Sequence, residues 1–309
     1  MQELIFTHNP SEPLCDLAQG RDLWVIADEN TAALALPRLA LPEHKTIVIP
    51  AGDASKDLDT LSSIWRQLSE GGATRASLAI CLGGGVVTDI GGFAAATFKR
   101  GMEFVNVPTT LLGAVDAAVG GKTGINFCGL KNEIGAFCPA SAVVVSALFF
   151  STLPRQELLS GYAEMLKHGL LESPTELARL MEIDIDKADE LLPAIERSVA
   201  VKQRIVESDP REQGPRKALN LGHTCGHAIE SLALRRGHPV PHGYAVAWGL
   251  VCALALSVMR AGFPKDTLYA VARFVKERYG RPPYDCADYP DLLAAMAHDK
   301  KNPSPDRIM

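Results

Sequence analysis

Short β-rich runs at residues 23–27, 46–50, 78–82 and 104–107 alternate with stretches of helical period such as 56–68 and 86–98. Parallel strands need a crossover between them, usually a helix, so this alternation predicts a mostly parallel sheet covered by helices. From about residue 154 the pattern changes to long helical periods, at 155–171, 187–207, 223–234 and 267–279, punctuated by Pro and Gly. The expected organisation is an α/β domain over residues 1–152 followed by an all-α domain over 153–309, with the change between residues 147 and 154. No tandem repeat or low-complexity tract interrupts it. The loop 208–216, with Asp209-Pro210 and Gly214-Pro215, is the clearest break in the helical half.

With 309 residues, 47% of them hydrophobic and 22% charged, the chain can bury a sizeable core. A net charge of −5 gives no general basic footprint for nucleic acid, so an anionic ligand has to be caught by a local cluster of Lys and Arg. The seven cysteines are odd in number and contain no CxxC pair, a pattern of reduced intracellular thiols rather than of a disulfide framework or a cysteine metal site. The first 13 residues carry acidic and polar side chains where a signal peptide needs a basic start and an apolar run, so a cytoplasmic location is expected. The apolar run 244–259 is short for a membrane span and follows His242; it is read as a helix buried inside the fold, with no membrane partner.

Several segments carry groups suited to chemistry. In Asn220-Leu221-Gly222-His223-Thr224-Cys225-Gly226-His227 two histidines four apart share a helix face, a spacing that suits either a metal ion or hydrogen-bonded structure. A metalloprotease would need Glu directly after the first histidine, and Thr224 stands there. Glu164, Lys167 and His168 lie together on a predicted helix; an i,i+3 ion pair explains the first two, while His223 and His242 could complete a Glu/His/His metal set with an open position. Gly83-Gly84-Gly85-Val86-Val87-Thr88-Asp89 follows a strand and opens a helix, which suits a pyrophosphate at the helix start and equally suits tight strand-to-helix packing. Thr88 occupies the third glycine position of the dinucleotide fingerprint. Val107-Pro108-Thr109-Thr110 offers two hydroxyls after the next strand. The Gly-rich stretch 116–132 presents Asp116, Lys122, Thr123, Asn126, Lys131 and Asn132, which fit a phosphorylated, polyhydroxylated ligand or a solvated loop. Arg100, Lys202, Arg216, Lys300 and Lys301 are further cations that could surround an anionic substrate.

Taken in order, the blocks 83–93, 107–110, 115–123, 130–135, 161–167, 219–227 and His242-Gly243 resemble the 3-dehydroquinate synthase family of sugar phosphate cyclases, over nearly the whole chain. The resemblance implies a dehydroquinate synthase-like fold, with an NAD-binding α/β N-terminal domain, a helical metal- and substrate-binding domain, and a cleft between them. It implies conversion of 3-deoxy-D-arabino-heptulosonate 7-phosphate to 3-dehydroquinate and phosphate, a phosphorus–oxygen lyase reaction of the shikimate pathway. Hydride passes to NAD from an alcohol polarised by a divalent metal, Zn or Co; phosphate leaves, hydride returns, and an intramolecular aldol step closes the ring. By motif position Glu164, His223 and His242 become the metal ligands, and His227 a proton-transfer residue. NAD falls to Asp28, Asn30, Asp53, Lys56, Gly85, Val86, Val87, Thr88, Asp89, Thr109, Thr110, Lys122, Lys131 and Thr152. Asp116, Lys122, Asn132, Lys167, Lys202, Arg216, Asn220 and one of Lys300 or Lys301 line the substrate site, and Arg100 reaches the phosphate across a homodimer interface. Three features differ from the family pattern: Thr88 in the nucleotide loop, Tyr244 where many members carry Glu, and an end at Met309 where relatives continue with a further β segment. Related readings are a cyclase of inosose or valiolone type and a polyol dehydrogenase resembling glycerol dehydrogenase.

Overall fold

The computed structural model describes residues 2–209 and 212–297. The chain divides into two units, Met1–Pro154 with Asp184–Gln203, and Arg155–Ile183 with Arg204–Met309. The sheet of the first unit is built from β1 (Glu3–Phe6), β2 (Leu23–Asp28), β3 (His44–Ile49), β4 (Leu78–Gly83) and β5 (Glu103–Pro108). After a hairpin of β6 (Lys122–Phe127) and β7 (Leu130–Phe137) comes the last strand, β8 (Ala142–Val145). The six sheet strands run parallel in the order β1-β8-β5-β4-β2-β3. Connecting helices are α1 (Ser11–Ala18), α2 (Glu29–Leu34), α3 (Leu58–Glu70) and α4 (Gly85–Thr97).

All six residues of β4 are buried, and successive side chains enter opposite cores. Ala79 and Cys81 join Trp24, Ile26, Ile47 and Ile49 under α3 and α4, whereas Leu78, Ile80 and Leu82 join Val25, Ala27, Val105, Val107 and Leu14 of α1. A strand covered on both faces reads as an unbroken apolar run, which is why these strands stand out in the sequence. Helix α4 lies close on the sheet because Gly91 has no side chain; a Cβ there would sit 2.7 Å from the Cys81 sulfur.

The strand order reverses between β2 and β4: β2 leads outward to β3, and β4 leads the other way to β5. Diverging connections open a crevice at the carboxyl ends of those two strands. Asp28–Asn30 and Gly83–Thr88 are the segments that border it. The Gly-rich stretch read as a polar ligand segment or loop is a wide turn at Gly113–Ala117 followed by the antiparallel β6–β7 hairpin, in register Lys122↔Phe137 and Gly124↔Gly135.

The second unit is helical, with α5 (Arg155–Glu172) and α6 (Pro174–Glu182), then, beyond α7 (Ala188–Ser208), which passes from one unit to the other at Gln203, α8 (His223–Arg235), α9 (His242–Ala261), α10 (Lys265–Tyr279) and α11 (Tyr289–Ala297). Helix α9 contains the apolar run 244–259. By length and hydropathy it is the one helix among the described residues that could cross a membrane. Here it packs against α5, α8 and α10, and its Ala245, Val246, Ala247 and Leu250 are buried. Its first turn docks on the middle of α5, where the Gly243 N–H donates to Ser160 Oγ at 3.0 Å.

Candidate functional site

In the second unit, three helices converge on one carboxylate. Glu164 and Lys167, one turn apart on α5, form an ion pair with side chains 0% and 1% exposed. His223 and His242 are the first residues of α8 and α9, and both turn their Nε2 atoms toward Glu164 Oε1, at 3.4 and 3.7 Å. His227, one turn along α8, completes a triangle of imidazoles: centroid separations are 5.4 Å to His223 and 5.8 Å to His242, and His223 and His242 are 5.5 Å apart.

The hydrogen bonds on the far side of the rings define what this centre offers. His223 Nδ1–H donates to the Leu221 carbonyl at 3.2 Å, and His242 Nδ1–H donates to Glu230 Oε2 at 3.2 Å. Carbonyl and carboxylate oxygens only accept, so each neutral ring keeps its lone pair on Nε2. Glu164 Oε1 is buried and accepts no hydrogen bond. Three electron-pair donors therefore face one another, all within 4.8 Å. Tetrahedral zinc with bonds of about 2.0–2.1 Å separates its ligand atoms by roughly 3.3 Å, close to the Nε2–Oε1 distances here. A divalent cation fits this donor set, and Glu164, His223 and His242 are the residues that would hold it. Burial opposes the charge on Glu164, but the Lys167 ammonium, joined by His223 and His242 when their rings are protonated, outweighs it and holds the carboxyl well below the usual carboxylate range. A second group, His227, Glu230 and His242, also brings its ligand atoms within 4.8 Å and is more exposed. Glu230 carried no signal in the sequence reading; its place three residues after His227, on the same helix face, could have marked it.

In the first unit, the predicted nucleotide residues gather at the carboxyl edge of the sheet. Asp28 ends β2 and caps α2, accepting from the Thr31 N–H at 2.8 Å, with Asn30 in the first helical turn. Gly85, Val86, Val87 and Thr88 form the first turn of α4, whose dipole suits an anion, and the Thr88 N–H closes the turn on the Gly84 carbonyl at 3.1 Å. The Thr88 hydroxyl is spent on the Gly85 carbonyl at 3.1 Å, so threonine at the fingerprint position satisfies the helix backbone. The Thr109 N–H bonds the Gly83 carbonyl at 3.0 Å and Thr110 Oγ1 accepts from Gly113, which ties the two loops together. Thr152 donates to the Phe149 carbonyl at 3.1 Å.

A polar cluster links this edge to the hairpin. Lys56 Nζ bonds both Asp89 and Asn132, and Asn126 bonds the Asp53 carbonyl and carboxylate at 3.2 and 3.3 Å. Lys131 lies 3.7 Å from Asp53, and the Asn132 N–H donates to Asn126 Oδ1 at 3.0 Å. Burial pushes the Asp89 carboxyl up, against the pull of Lys56. Lys202 bonds both the carbonyl and the carboxylate of Asp116. Lys122 is exposed at the start of β6, and Arg100 is exposed after α4 with φ of 67°.

Of the remaining residues, Arg216 is buried beside Asp209, whose carboxylate accepts the Arg216 N–H at 3.2 Å, and Asn220 donates to Glu212 at 2.8 Å. The backbone N–H groups of Gln213 and Gly214 hold the Asp209 carboxyl below its ordinary value. Lys300 and Lys301 lie outside the described residues.

The chain matches two family profiles, 3-dehydroquinate synthase N-terminal over residues 46–160 and 3-dehydroquinate synthase C-terminal over residues 161–302. It is 50% identical to a 3-dehydroquinate synthase of Parabacteroides distasonis over 286 residues, covering 91% of this chain and 81% of that protein. A 3-dehydroquinate synthase of Pyrococcus furiosus is 45% identical over 257 residues, 83% of this chain and 74% of the other. Among solved structures, a 2-epi-5-epi-valiolone synthase from Streptomyces hygroscopicus with NAD+ and Zn2+ bound superposes with a TM-score of 0.79 at 27% identity, over 96% of this chain and 86% of that one. A 2-deoxy-scyllo-inosose synthase complexed with carbaglucose-6-phosphate, NAD+ and Co2+ gives a TM-score of 0.82 at 22% identity, over 96% and 85%.

Proposed function

The chain belongs to the 3-dehydroquinate synthase family, and from that premise we propose that it converts 3-deoxy-D-arabino-heptulosonate 7-phosphate to 3-dehydroquinate with release of inorganic phosphate, as a phosphorus–oxygen lyase. The observation that carries the reading within the site is the convergence of Glu164, His223 and His242 on one point, with both Nδ1 atoms turned to oxygens on the far side of the rings. When bound, a divalent cation such as Zn2+ or Co2+ polarises the substrate alcohol, while NAD accepts its hydride and later returns it.

The residues of the chain have distinct tasks in this reading. Glu164, His223 and His242 hold the cation, and Lys167 compensates the charge of Glu164 inside the helical unit. His227 lies next to both ligand rings and moves a proton between substrate and solvent. The first turn of α4, with Gly85, Val86, Val87, Thr88 and Asp89, receives the NAD pyrophosphate, and Asp28 and Asn30 take its ribose. Asp53, Lys56, Thr109, Thr110, Lys122, Lys131 and Thr152 complete that site. Lys202, Arg216, Asn220, Asn132 and Asp116 orient the sugar phosphate, with Lys300 or Lys301 and with Arg100 from a partner subunit. A homodimer is consistent with the exposed Phe127, Leu130, Ile134 and Phe137 of the hairpin, an apolar surface that favours cover. The seven free cysteines support a reducing, cytoplasmic setting.

The test is phosphate release from the heptulosonate phosphate coupled to dehydroquinate formation, at substoichiometric NAD and without NADH accumulation. The structural likeness to inosose and valiolone synthases favours a second reading, a related sugar phosphate cyclase. Turnover of glucose 6-phosphate or sedoheptulose 7-phosphate in place of the heptulosonate selects it. NADH accumulating with a simple alcohol overturns both.

A further inference from the structure

We propose that Glu230 is a positioning residue for the cation site: by accepting the Nδ1–H of His242, it makes Nε2 the atom this ring presents to Glu164. The inference rests on the reading of Glu164, His223 and His242 as a ligand set.

Glu230 lies on α8, seven residues after His223 and three after His227, so all three side chains share one face of the helix. Its Oε2 is 3.2 Å from His242 Nδ1, on the opposite side of the ring from Glu164. A neutral imidazole has one N–H and one lone pair, and a carboxylate accepts without donating. The contact therefore places the proton on Nδ1 and the lone pair on Nε2. The Leu221 carbonyl does the same for His223. Each imidazole thus has its tautomer and ring plane set by an oxygen behind it, one from the backbone and one from a side chain. Only the second can be removed by substitution. A carboxylate behind a ligand imidazole also makes the ring a stronger donor to a cation.

Glu230 belongs as well to the alternative group with His227 and His242. The two groups compete for His242, because Glu164 faces its Nε2 and Glu230 faces its Nδ1. Burial decides between them. Glu164 is fully buried with an oxygen that accepts no hydrogen bond, whereas Glu230 is 23% exposed and already has its donor. The unmet electrostatic demand lies at Glu164, since a buried charge without a partner is the costlier state.

The experiment uses the full chain stripped of metal, with Zn2+ affinity read by competition against a chromophoric chelator and the site geometry read from the Co2+ absorption spectrum. Glu230→Ala is expected to weaken Zn2+ binding by about 10–100-fold. Glu230→Gln, whose amide oxygen still accepts the Nδ1–H, is expected to hold Zn2+ within a few fold of the unsubstituted chain and to keep its Co2+ spectrum. Unchanged Zn2+ affinity and Co2+ spectrum in folded Glu230→Ala overturn the proposal, because a merely structural side chain would change only the melting temperature. Loss of Zn2+ in Glu230→Gln as complete as in His242→Ala also overturns it, since Glu230 would then be a ligand itself. Glu164→Gln tests the underlying reading separately. Zn2+ retained by that variant refutes the ligand set, whereas Zn2+ lost there but bound normally by Glu230→Ala refutes only the positioning role.

Discussion

Gly243→Ala probes how closely the cation site depends on helix docking. A Cβ at Gly243 would stand 2.0 Å from the Ser160 carbonyl oxygen and 2.5 Å from the Ser160 carbonyl carbon and Cα. Ordinary contact begins near 3.4 Å, so the two backbones must separate by about 1.4 Å. All three obstructing atoms belong to the backbone of a buried helix, so no side-chain rotation relieves the clash. Overpacking of this kind costs about 1–3 kcal/mol. At about 2–4 °C per kcal/mol, the melting temperature falls by roughly 2–12 °C. The adjacent residue, His242, moves with the start of α9, away from a carboxylate that its Nε2 faces at 3.7 Å. Ligand distances tolerate shifts of only about 0.2 Å, so Zn2+ affinity should drop by at least about tenfold. Circular dichroism melting of the metal-free protein reads the first effect and chelator competition the second. Ser160→Ala is the control, since it removes the 3.0 Å hydrogen bond to the Gly243 N–H without adding a methyl group and costs about 1 kcal/mol. A Gly243→Ala protein with unchanged melting temperature and unchanged Zn2+ affinity would refute the docking argument.

Other substitutions separate the roles within the centre. His242→Ala should abolish metal retention and turnover, while His227→Ala should keep the metal and lose rate by about 10²–10⁴-fold; metal content per chain together with phosphate release distinguishes them, and the reverse pattern would exchange their roles. Lys167→Met leaves Glu164 buried without its cation and should destabilise the metal-free protein by about 3–5 kcal/mol in denaturant titration. Replacing both members, Glu164→Leu with Lys167→Leu, should be neutral or stabilising in the same titration while metal binding is lost. Because Lys167, together with His223 and His242 once acid protonates their rings, holds the Glu164 carboxyl below its usual value of 4.5 despite burial, its contribution is complete above that value and is lost as pH falls through the lower folded one. The urea midpoint of the metal-free protein should therefore decline in acid more steeply than that of Glu164→Gln; parallel profiles would refute this.

The parallel sheet was legible because strands buried on both faces leave apolar runs, as in Leu78–Gly83 and Leu23–Asp28. The β6–β7 hairpin was not. Nearly every residue of Leu130–Phe137 is exposed, so no one-sided burial imposes an alternating pattern, and its glycines and lysines read as loop. β1 is only four residues long and half-buried, too short for a periodic signal. Helical period showed that the segment near residues 187–207 has an apolar face, but period does not say which unit that face packs against, and Asp184–Gln203 groups with the sheet. Within the site, the spacing of His223 and His227 pointed to a shared centre. The distant Glu164 and His242 stood among the candidate ligands, but only the family resemblance singled them out over His227, since helix spacing carries no information about partners on other helices.

A centre like this one has no explanation in stability. Glu164 and Lys167 could be replaced by apolar side chains that would fill the same space in α5 with less desolvation cost, and Ser160, Tyr162 and Met165 beside them show how thoroughly that helix is buried. What the charged pair adds is asymmetry. Lys167 occupies Oε2, which leaves Oε1 as the one carboxylate oxygen turned toward the two histidine nitrogens. The ion pair thus fixes which oxygen is offered, just as Leu221 and Glu230 fix which nitrogens are offered. With each donor atom selected by a contact on its far side, little rearrangement remains when a cation arrives, and the folding energy spent on burying charge becomes preorganisation of the site.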